Sequence, residues 1–402
     1  MCRWIVYFSR DEPILLADVV LRPAHSLVKQ VDQHFLPGLQ VDPAPQQADD
    51  VGGPNNLSNL DGFGLGWYSS VPSDYGVFSH REARVRHPEL LPTVYKCLQS
   101  PWHDLNLHSI ANAVESQVVF GHLRAAGAVG SVSMANCHPF QFGRFLVQQN
   151  GRIGGLEDIR IDLMSIIPKR PRERVKGTTD TEWLAALFFH YLDPDPEATY
   201  LESYPLSSQL SALRRTFSTI INLTEIELGY YDRASSSTTG ARRRLALWFS
   251  ANVAISDGSR FIALRFAYPP KDREAPSLYW SETAGSALDR RYTSHPDDGG
   301  LDVGRRPRAS RSGRHVVVAS EPMTFDHGGE WSEVVQGQLV LVDEDGKVEL
   351  RNFDVDGWEE IEGSDGSAEL KELTEMSSPH VPIRRERPTP CPLFLSPSIP
   401  GA

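Results

Sequence analysis

The sequence contains few cysteines, and none of the four lies close to another. Cys2, Cys97, Cys137 and Cys391 form no CxxC pair. Disulfide frameworks and structural zinc sites need cysteines in close or repeated spacings, so neither is expected here. This scarcity is typical of proteins from a reducing compartment, in which Cys2 stays a free thiol.

Long apolar runs and an excess of positive charge are also absent. No segment approaches the ~20 consecutive apolar residues that a membrane-spanning helix needs. The apolar stretch after Arg3 is too short for the core of a secretory signal. The net charge of −12 argues against a general nucleic-acid binder. We therefore expect a cytoplasmic protein whose partners include neither nucleic acid nor a membrane.

The spacings of common cofactor and metal sites are missing as well. Residues 61–66, DGFGLG, contain three glycines but not the GxGxxG spacing of a dinucleotide site. No HExxH or comparable ligand spacing occurs. His25, His122 and His138 lie on apolar or proline-flanked stretches, so we interpret them as structural, hydrogen-bonded histidines rather than bases or ligands. No cofactor and no metal is predicted.

Strand and helix patterns alternate along the chain. The clearest helix covers residues 178–192, where Thr179 and Glu182 form a T-x-x-E capping box ahead of paired apolar residues. Helical patterns are also predicted at residues 16–30, interrupted by Pro23, and between Pro92 and Ser116. Strands are predicted at 4–8, from 116 to His122 or Arg124, and at 144–151, 245–255, 261–266, 315–320 and 338–342. This order fits a mixed α/β sandwich.

The chain is long enough for one large domain with insertions or for two ordinary domains. We predict one domain at residues 1–353, with surface-loop insertions near 36–58, 230–244 and 289–314. Residues 354–402 turn acidic and then proline-rich, which predicts a disordered or loosely attached tail.

Cys2 is the first candidate for chemistry. A cysteine after the initiator methionine is a poor choice for packing, because chain ends usually fray. Its small side chain permits removal of Met1, which would leave a thiol and a free α-amine on one residue. An α-amine has an ordinary pKa of roughly 7.7–8.0 and can accept the thiol proton. The alternative is a coincidental cysteine, and position 2 alone does not decide between them.

Other polar residues carry a similar ambiguity. Asn150-Gly151 follows an apolar run and is the commonest pair in tight hairpin turns. Arg124 follows another apolar run, where a solvated arginine at a strand end is the ordinary case. Asp180, with Thr179, suits the start of a helix. Each has a structural explanation beside a functional one.

The order of the motifs narrows these alternatives. MCRW, DGFGLGWY, GHLRAA, NCHPF, QNG and TTDTE resemble, in this order, the class II glutamine amidotransferases, which are N-terminal nucleophile hydrolases. The resemblance covers residues 1–192 and continues more weakly through 256–258 and 319–325. RPAHSLVKQ and SEPMTF further resemble the amidotransferase subunits of fungal Dug-type complexes, which degrade glutathione. The resemblance implies an α+β fold, a four-layer αββα sandwich of the N-terminal nucleophile hydrolase type.

It also implies roles for individual residues. Cys2 would attack a γ-glutamyl amide, and the side-chain amide of Asn150 with the backbone N–H of Gly151 would bind the tetrahedral oxyanion. Arg124 would grip the substrate α-carboxylate with two parallel hydrogen bonds, and Asp180 would bind the α-ammonium.

Two further positions concern the surroundings of that site. Asn59, Asp61 and Gly62 occupy a loop that resembles one lining the family's pocket, and Gly62 with Gly64 is expected to shape it. The family usually has His-Asn-Gly where this chain has Gln149 followed by Asn-Gly, which retains the oxyanion donors but changes the support of that segment.

The resemblance leaves three functions open. The first is hydrolysis of glutathione to glutamate and cysteinylglycine, together with a metallopeptidase-like protein partner. The second is hydrolysis of glutamine or of another γ-glutamyl conjugate, such as the intermediate cut in ergothioneine synthesis; all these substrates share the γ-glutamyl head. The third is a catalytically silent subunit that binds γ-glutamyl ligands, for which the departure at Gln149 is the best support.

Overall fold

A computed structural model describes residues 2–35, 61–71, 89–125, 131–195, 197–234, 249–268, 274–291, 315–324 and 330–355. These residues belong to one compact unit, Met1–Val355. The predicted insertion at 36–58 and most of the predicted tail lie outside the described residues.

Within the described residues, the strands form two large antiparallel sheets and one small one. The first sheet has the spatial order β13 (Ser332–Glu333), β11 (Tyr279–Ser281), β12 (His315–Ala319), β1 (Arg3–Ser9), β6 (Val118–Leu123), β3 (Phe63–Val71), β4 (Glu89–Cys97). The second has the order β15 (Val348–Asn352), β14 (Gln338–Val342), β10 (Phe261–Tyr268), β9 (Phe249–Ser256), β8 (Phe145–Ile153), β7 (Phe140–Phe142). Strands β2 (Ile14–Leu15) and β5 (Glu115–Ser116) pair separately.

The helices cover the outer faces of these sheets. They are α1 (Leu16–Val20), α2 (Leu105–Ala113), α3 (Leu156–Ile166), α4 (Lys169–Glu173), α5 (Asp180–Leu192), α6 (Leu206–Ala234) and α7 (Gly285–Leu288), with 3-10 turns at Lys29–Val31 and Met134–Asn136. None of the helices in these described segments is both long and apolar enough to cross a membrane.

Three apolar clusters define four layers. One cluster packs α1 and α2 on the outer face of the first sheet. A second, which includes Trp4, Phe120 and Leu146, lies between the two sheets. The third packs α3, α5 and α6 on the outer face of the second sheet. The predicted four-layer αββα sandwich is confirmed.

The first strand lies in the interior of the first sheet. All seven residues of β1 are buried, which suits its β-branched and aromatic composition because both faces of the sheet are covered. It pairs with β12 on one side and with β6 on the other, with Arg3 opposite Leu123. Cys2 therefore directly precedes a buried central strand rather than lying on a frayed end.

The structure confirms some of the predicted elements. Helix α5 begins where the capping box predicts, because the Thr179 hydroxyl accepts a hydrogen bond from the Glu182 N–H. The Glu182 carboxylate accepts from the backbone N–H groups of Lys176 and Gly177. The helical pattern at 16–30 is divided near Pro23, as predicted, into α1 and a later 3-10 turn.

Two other predictions are wrong, and a third is contradicted only in its first residues. Asn150-Gly151 does not form a hairpin turn, because β8 continues through it to Ile153. The helix predicted between Pro92 and Ser116 begins only at Leu105, and the preceding residues form β4 at the edge of the first sheet. The loop predicted at 230–244 overlaps the end of α6, and its remainder lies outside the described residues, as does most of 289–314.

Candidate active site

Cys2 is half-buried against the chain that leaves β6. The Ala125 N–H donates a hydrogen bond to the Cys2 Sγ at 3.3 Å, and the thiol donates to the Ala125 carbonyl at 3.6 Å. Burial raises the pKa of the Cys2 thiol, while the Ala125 hydrogen bond and the Arg124 charge lower it in part. The resting sulfur is therefore a thiol, and it needs a base before it can attack.

Arg124 lies beside that thiol and is 5% exposed. Its backbone N–H donates to the Gly62 carbonyl at 2.8 Å, and its Nη1 donates to the Ser131 carbonyl at 2.9 Å. No carboxylate of a described residue forms an ion pair with its guanidinium. A buried cation is costly to leave unpaired, so this arginine is suited to an anionic ligand. The solvated strand-end interpretation of Arg124 is wrong.

Asp61 and Gly62 directly precede β3, and the hydrogen bond from the Arg124 N–H to the Gly62 carbonyl places them next to Arg124. A Cβ on Gly62, where φ is +144°, would lie 2.3 Å from the Cys137 Sγ. A Cβ on Gly64 would lie 1.7 Å from the His138 carbonyl oxygen. These glycines let β3 approach the Cys137–His138 segment closely, which explains their presence by packing. Asn59 lies outside the described residues.

Asn150 and Gly151 lie near the end of β8 in the second sheet. Asn150 is 3% exposed, yet no hydrogen bond joins its side-chain amide to another described residue. Gly151 has φ +153°, and a Cβ there would lie 2.0 Å from the Ser250 carbonyl oxygen. Only glycine tolerates both conditions, so the residue type is set by backbone packing against β9.

The alternation of side chains along the strands directs Cys2 and Arg124 of the first sheet, and Asn150 of the second sheet, into the space between the two sheets. Trp4 and Phe120 belong to the cluster between the sheets, and Cys2 and Arg124 follow in the same alternation at the strand ends. Asn150 shares a face of β8 with Gln148, whose Nε2 donates across to the Ile5 carbonyl at 3.1 Å. These residues therefore line the same end of the space between the sheets.

Asp180 is the first residue of α5 and is tied to β8. Its Oδ2 accepts from the Ile153 N–H at 2.8 Å, and its Oδ1 accepts from the Thr181 N–H at 2.9 Å. Burial raises the pKa of Asp180, and these hydrogen bonds lower it. Its charge also raises the pKa of Cys2, so the two groups are electrostatically coupled. Asp180 thus occupies a helix start and still faces the candidate site.

His122 and His138 are buried and hydrogen-bonded, as their structural interpretation requires. The His122 Nε2 lies 3.1 Å from the Gln149 carbonyl, and the His138 Nε2 lies 2.8 Å from the Thr181 hydroxyl. Their ring centroids are 4.1 Å apart. Burial lowers the pKa of His122 to about 3 and that of His138 well below its usual range. His25 contacts the Pro322 carbonyl at 3.0 Å.

Gln149, at the position where the family usually has histidine, is 2% exposed. Both polar atoms of its side chain are buried without a hydrogen-bond partner. Its backbone carbonyl nevertheless accepts a hydrogen bond from His122, which connects β8 of the second sheet to β6 of the first.

Some residues of this region were missed by sequence reasoning. Ala125 contributes only backbone atoms, and no sequence signal could have identified it. Asn252 lies opposite Asn150 on β9, and its signal is a polar residue within the apolar strand FSANVAIS. Within the described segments, no group of three or more His, Cys, Asp or Glu side chains is arranged to hold a metal ion.

Comparison with known proteins gives one similar curated sequence. No protein-family model matches the chain. The chain is 28% identical over 345 residues to a Saccharomyces cerevisiae protein named probable glutamine amidotransferase DUG3, and the match covers 85% of this chain and 82% of the yeast protein.

Many solved structures are also similar to this chain, and two of them are as follows. A glutamine aminotransferase class-II domain protein from Silicibacter pomeroyi is 22% identical, with 88% of this chain and 98% of that chain covered and a TM-score of 0.47. Glutamine phosphoribosylpyrophosphate amidotransferase from B. subtilis is 12% identical, with 88% and 49% covered and a TM-score of 0.45.

Proposed function

We propose that this chain is a class II glutamine amidotransferase that hydrolyses γ-glutamyl amide bonds with Cys2 as its nucleophile. The observation that carries the proposal is the position of the Cys2 Sγ, held against the Ala125 backbone beside the buried guanidinium of Arg124. A nucleophile and an anion-binding cation then share one end of the space between the sheets.

The first step is activation of the thiol. Because burial raises the pKa of Cys2, the thiolate is not the resting form and a base must take its proton. Removal of Met1 would supply that base as the α-amine of Cys2, whose ordinary pKa is roughly 7.7–8.0. The nearby histidines are unsuited to this role, since His122 and His138 have lowered pKa values and bond to Gln149 and Thr181.

The second step is attack on the γ-carbonyl carbon. The thiolate sulfur forms a bond to this carbon, and the carbonyl oxygen becomes an oxyanion. The side-chain amide of Asn150 and the backbone N–H of Gly151 would donate to it. The free hydrogen-bonding capacity of Asn150 supports this role, because no described residue engages its amide.

Collapse of this intermediate breaks the amide bond. The leaving amine takes the proton held by the α-amine, which leaves a γ-glutamyl thioester on Cys2. Water then attacks the thioester carbon, with the α-amine as base, and releases glutamate and the thiol.

Recognition of the substrate rests on two opposite charges. Arg124 would form a bidentate pair with the α-carboxylate, for which its lack of an ion-pair partner among the described residues leaves it available. Asp180 would accept the α-ammonium. Although it already accepts two backbone hydrogen bonds, a carboxylate has about four lone-pair sites, so capacity remains.

The favoured substrate is glutathione, and a metallopeptidase-like protein is the proposed partner. Both proposals depend on the resemblance of RPAHSLVKQ and SEPMTF to the Dug-type subunits. Glutamine or another γ-glutamyl conjugate is the alternative substrate. Arg124 and Asp180 would bind only the γ-glutamyl head, which all these substrates share.

Glutamate release tests the proposal. Wild-type protein, Cys2→Ser and Cys97→Ser are each incubated with glutathione and with glutamine, with and without a candidate metallopeptidase partner. Cys97 is the matched control, since it is another half-buried free cysteine. We expect release by wild type and Cys97→Ser only, with glutathione preferred.

Other outcomes have distinct meanings. Preference for glutamine would transfer the proposal to that substrate. Equal rates for wild type and Cys2→Ser on every substrate would favour the silent subunit.

A further inference from the structure

The side chain of Asn252 has a buried oxygen atom that accepts no hydrogen bond. The residue lies in β9 and is fully buried. Its side-chain Oδ1 has no hydrogen-bond partner. A buried acceptor without a donor is unfavourable, so a donor is expected to reach it in some state of the protein.

The orientation of the Asn252 amide follows from its other contacts. The Nδ2 donates to the Pro276 carbonyl at 2.8 Å and to the Ser277 carbonyl at 3.1 Å. Only the nitrogen can donate, so these two carbonyls determine which end of the amide is which. The Oδ1 therefore points away from the 276–277 segment.

Asn150 is a candidate donor. In the antiparallel pairing of β8 with β9, Asn150 lies directly opposite Asn252. Opposite residues share a face of the sheet, and their Cβ atoms lie about 4.5–5.5 Å apart. That face is the one toward the first sheet, because Ala254 of β9 belongs to the cluster between the sheets.

We propose that Asn252 is the positioning residue for the oxyanion donor: its Oδ1 accepts one N–H of Asn150 and aims the other at the reacting carbonyl. The side-chain amide of asparagine has two N–H donors in one plane, so bonding one determines the direction of the other. This inference rests on the proposed function for its catalytic consequence, but the contact between the two amides can be tested without it.

A double-mutant cycle tests the consequence. Removal of one positioning hydrogen bond is expected to lower kcat about tenfold in Asn252→Ala, with KM changed less than about threefold. In an Asn150→Ala background, the same substitution should have no further effect, because there is no amide left to aim. A structural role through Pro276 and Ser277 would instead lower kcat in both backgrounds, and that result would overturn the inference.

A thiol-specific control separates the oxyanion from the nucleophile. Alkylation of Cys2 by iodoacetamide forms no oxyanion, so Asn252→Ala should leave its rate unchanged. A proportional fall of the alkylation rate and kcat would show that the substitution disturbs Cys2 itself, against the inference.

A crystal structure of the wild-type protein with L-glutamate tests the contact directly. We expect the Asn150 Nδ2 and the Asn252 Oδ1 within about 3.2 Å of each other. An Oδ1 that bonds water or another group instead would overturn the inference, whether or not the protein releases glutamate. Absence of Cys2-dependent glutamate release would count against the proposed function alone.

Discussion

Acidification should destabilise the protein through His122, because burial disfavours the protonated form of its imidazole in the folded state. In the folded state, burial lowers its pKa to about 3, whereas an unfolded histidine has a pKa of about 6.5. Between these values the unfolded chain binds a proton that the folded protein does not. The free energy of unfolding therefore falls as the pH drops below about 6.5, and the contribution is complete near pH 3.

The size of the effect can be worked out for a practical interval. From pH 7.5 to pH 5.0, the unfolded imidazole gains almost a full proton, and the folded one stays neutral. The resulting loss in the free energy of unfolding is about 2 kcal/mol from this one side chain. His138 acts in the same direction, so only a difference between variants isolates His122.

Urea unfolding at both pH values, for wild type and His122→Gln, measures that difference. Glutamine retains an N–H that can donate to the Gln149 carbonyl, as His122 does. We expect the variant to lose about 2 kcal/mol less than wild type on acidification. His103→Gln, at an exposed position, is the control for the loss of an imidazole that is not buried. Equal acid losses in His122→Gln and wild type would refute the argument.

Three substitutions test other parts of the structure. Arg124→Lys loses the planar fork, so steady-state kinetics should give a KM raised about tenfold with unchanged iodoacetamide alkylation of Cys2; an unchanged KM would exclude a bidentate role. Gly151→Ala places a Cβ near the Ser250 carbonyl at φ +153°, so urea unfolding should show a free energy of unfolding lower by at least about 2 kcal/mol. A variant as stable as wild type would contradict this. Glu321→Gln removes the buried ion pair between Arg3 and Glu321, and the free energy of unfolding is expected to fall by about 3–5 kcal/mol by the same method; a loss below about 1 kcal/mol would contradict this.

The sequence predicted the fold better than it predicted the individual elements. The layered sandwich, which the order of the motifs implied, is confirmed, and the resemblance to the glutamine amidotransferases is supported by the yeast protein of 28% identity. The composition of β1 indicated a buried strand, which depends mainly on local residue types. The neighbourhood of Cys2, Gly62 and Arg124 depends instead on the pairing of β1, β6 and β3, and single-strand patterns carry no information on register.

The two wrong predictions of secondary structure also result from strand pairing, which the local sequence does not reveal. Asn150-Gly151 has the composition of a hairpin turn, but its pairing with β9 keeps both residues in an extended strand. Residues 92–97 were predicted helical, yet they form an edge strand, where Pro92 is tolerated because one side of the strand is unpaired. In both cases tertiary pairing overrides the local preference.

The central claim is that Cys2 acts through a thiol and a free α-amine on the same residue. The most direct measurement compares a chain carrying a removable peptide ahead of Cys2 with the same chain after a protease has exposed Cys2, verified by intact mass. We predict that glutamate release from glutathione or glutamine appears only after cleavage. Equal release before and after cleavage would contradict the claim, because the blocked α-amine could not then be the base.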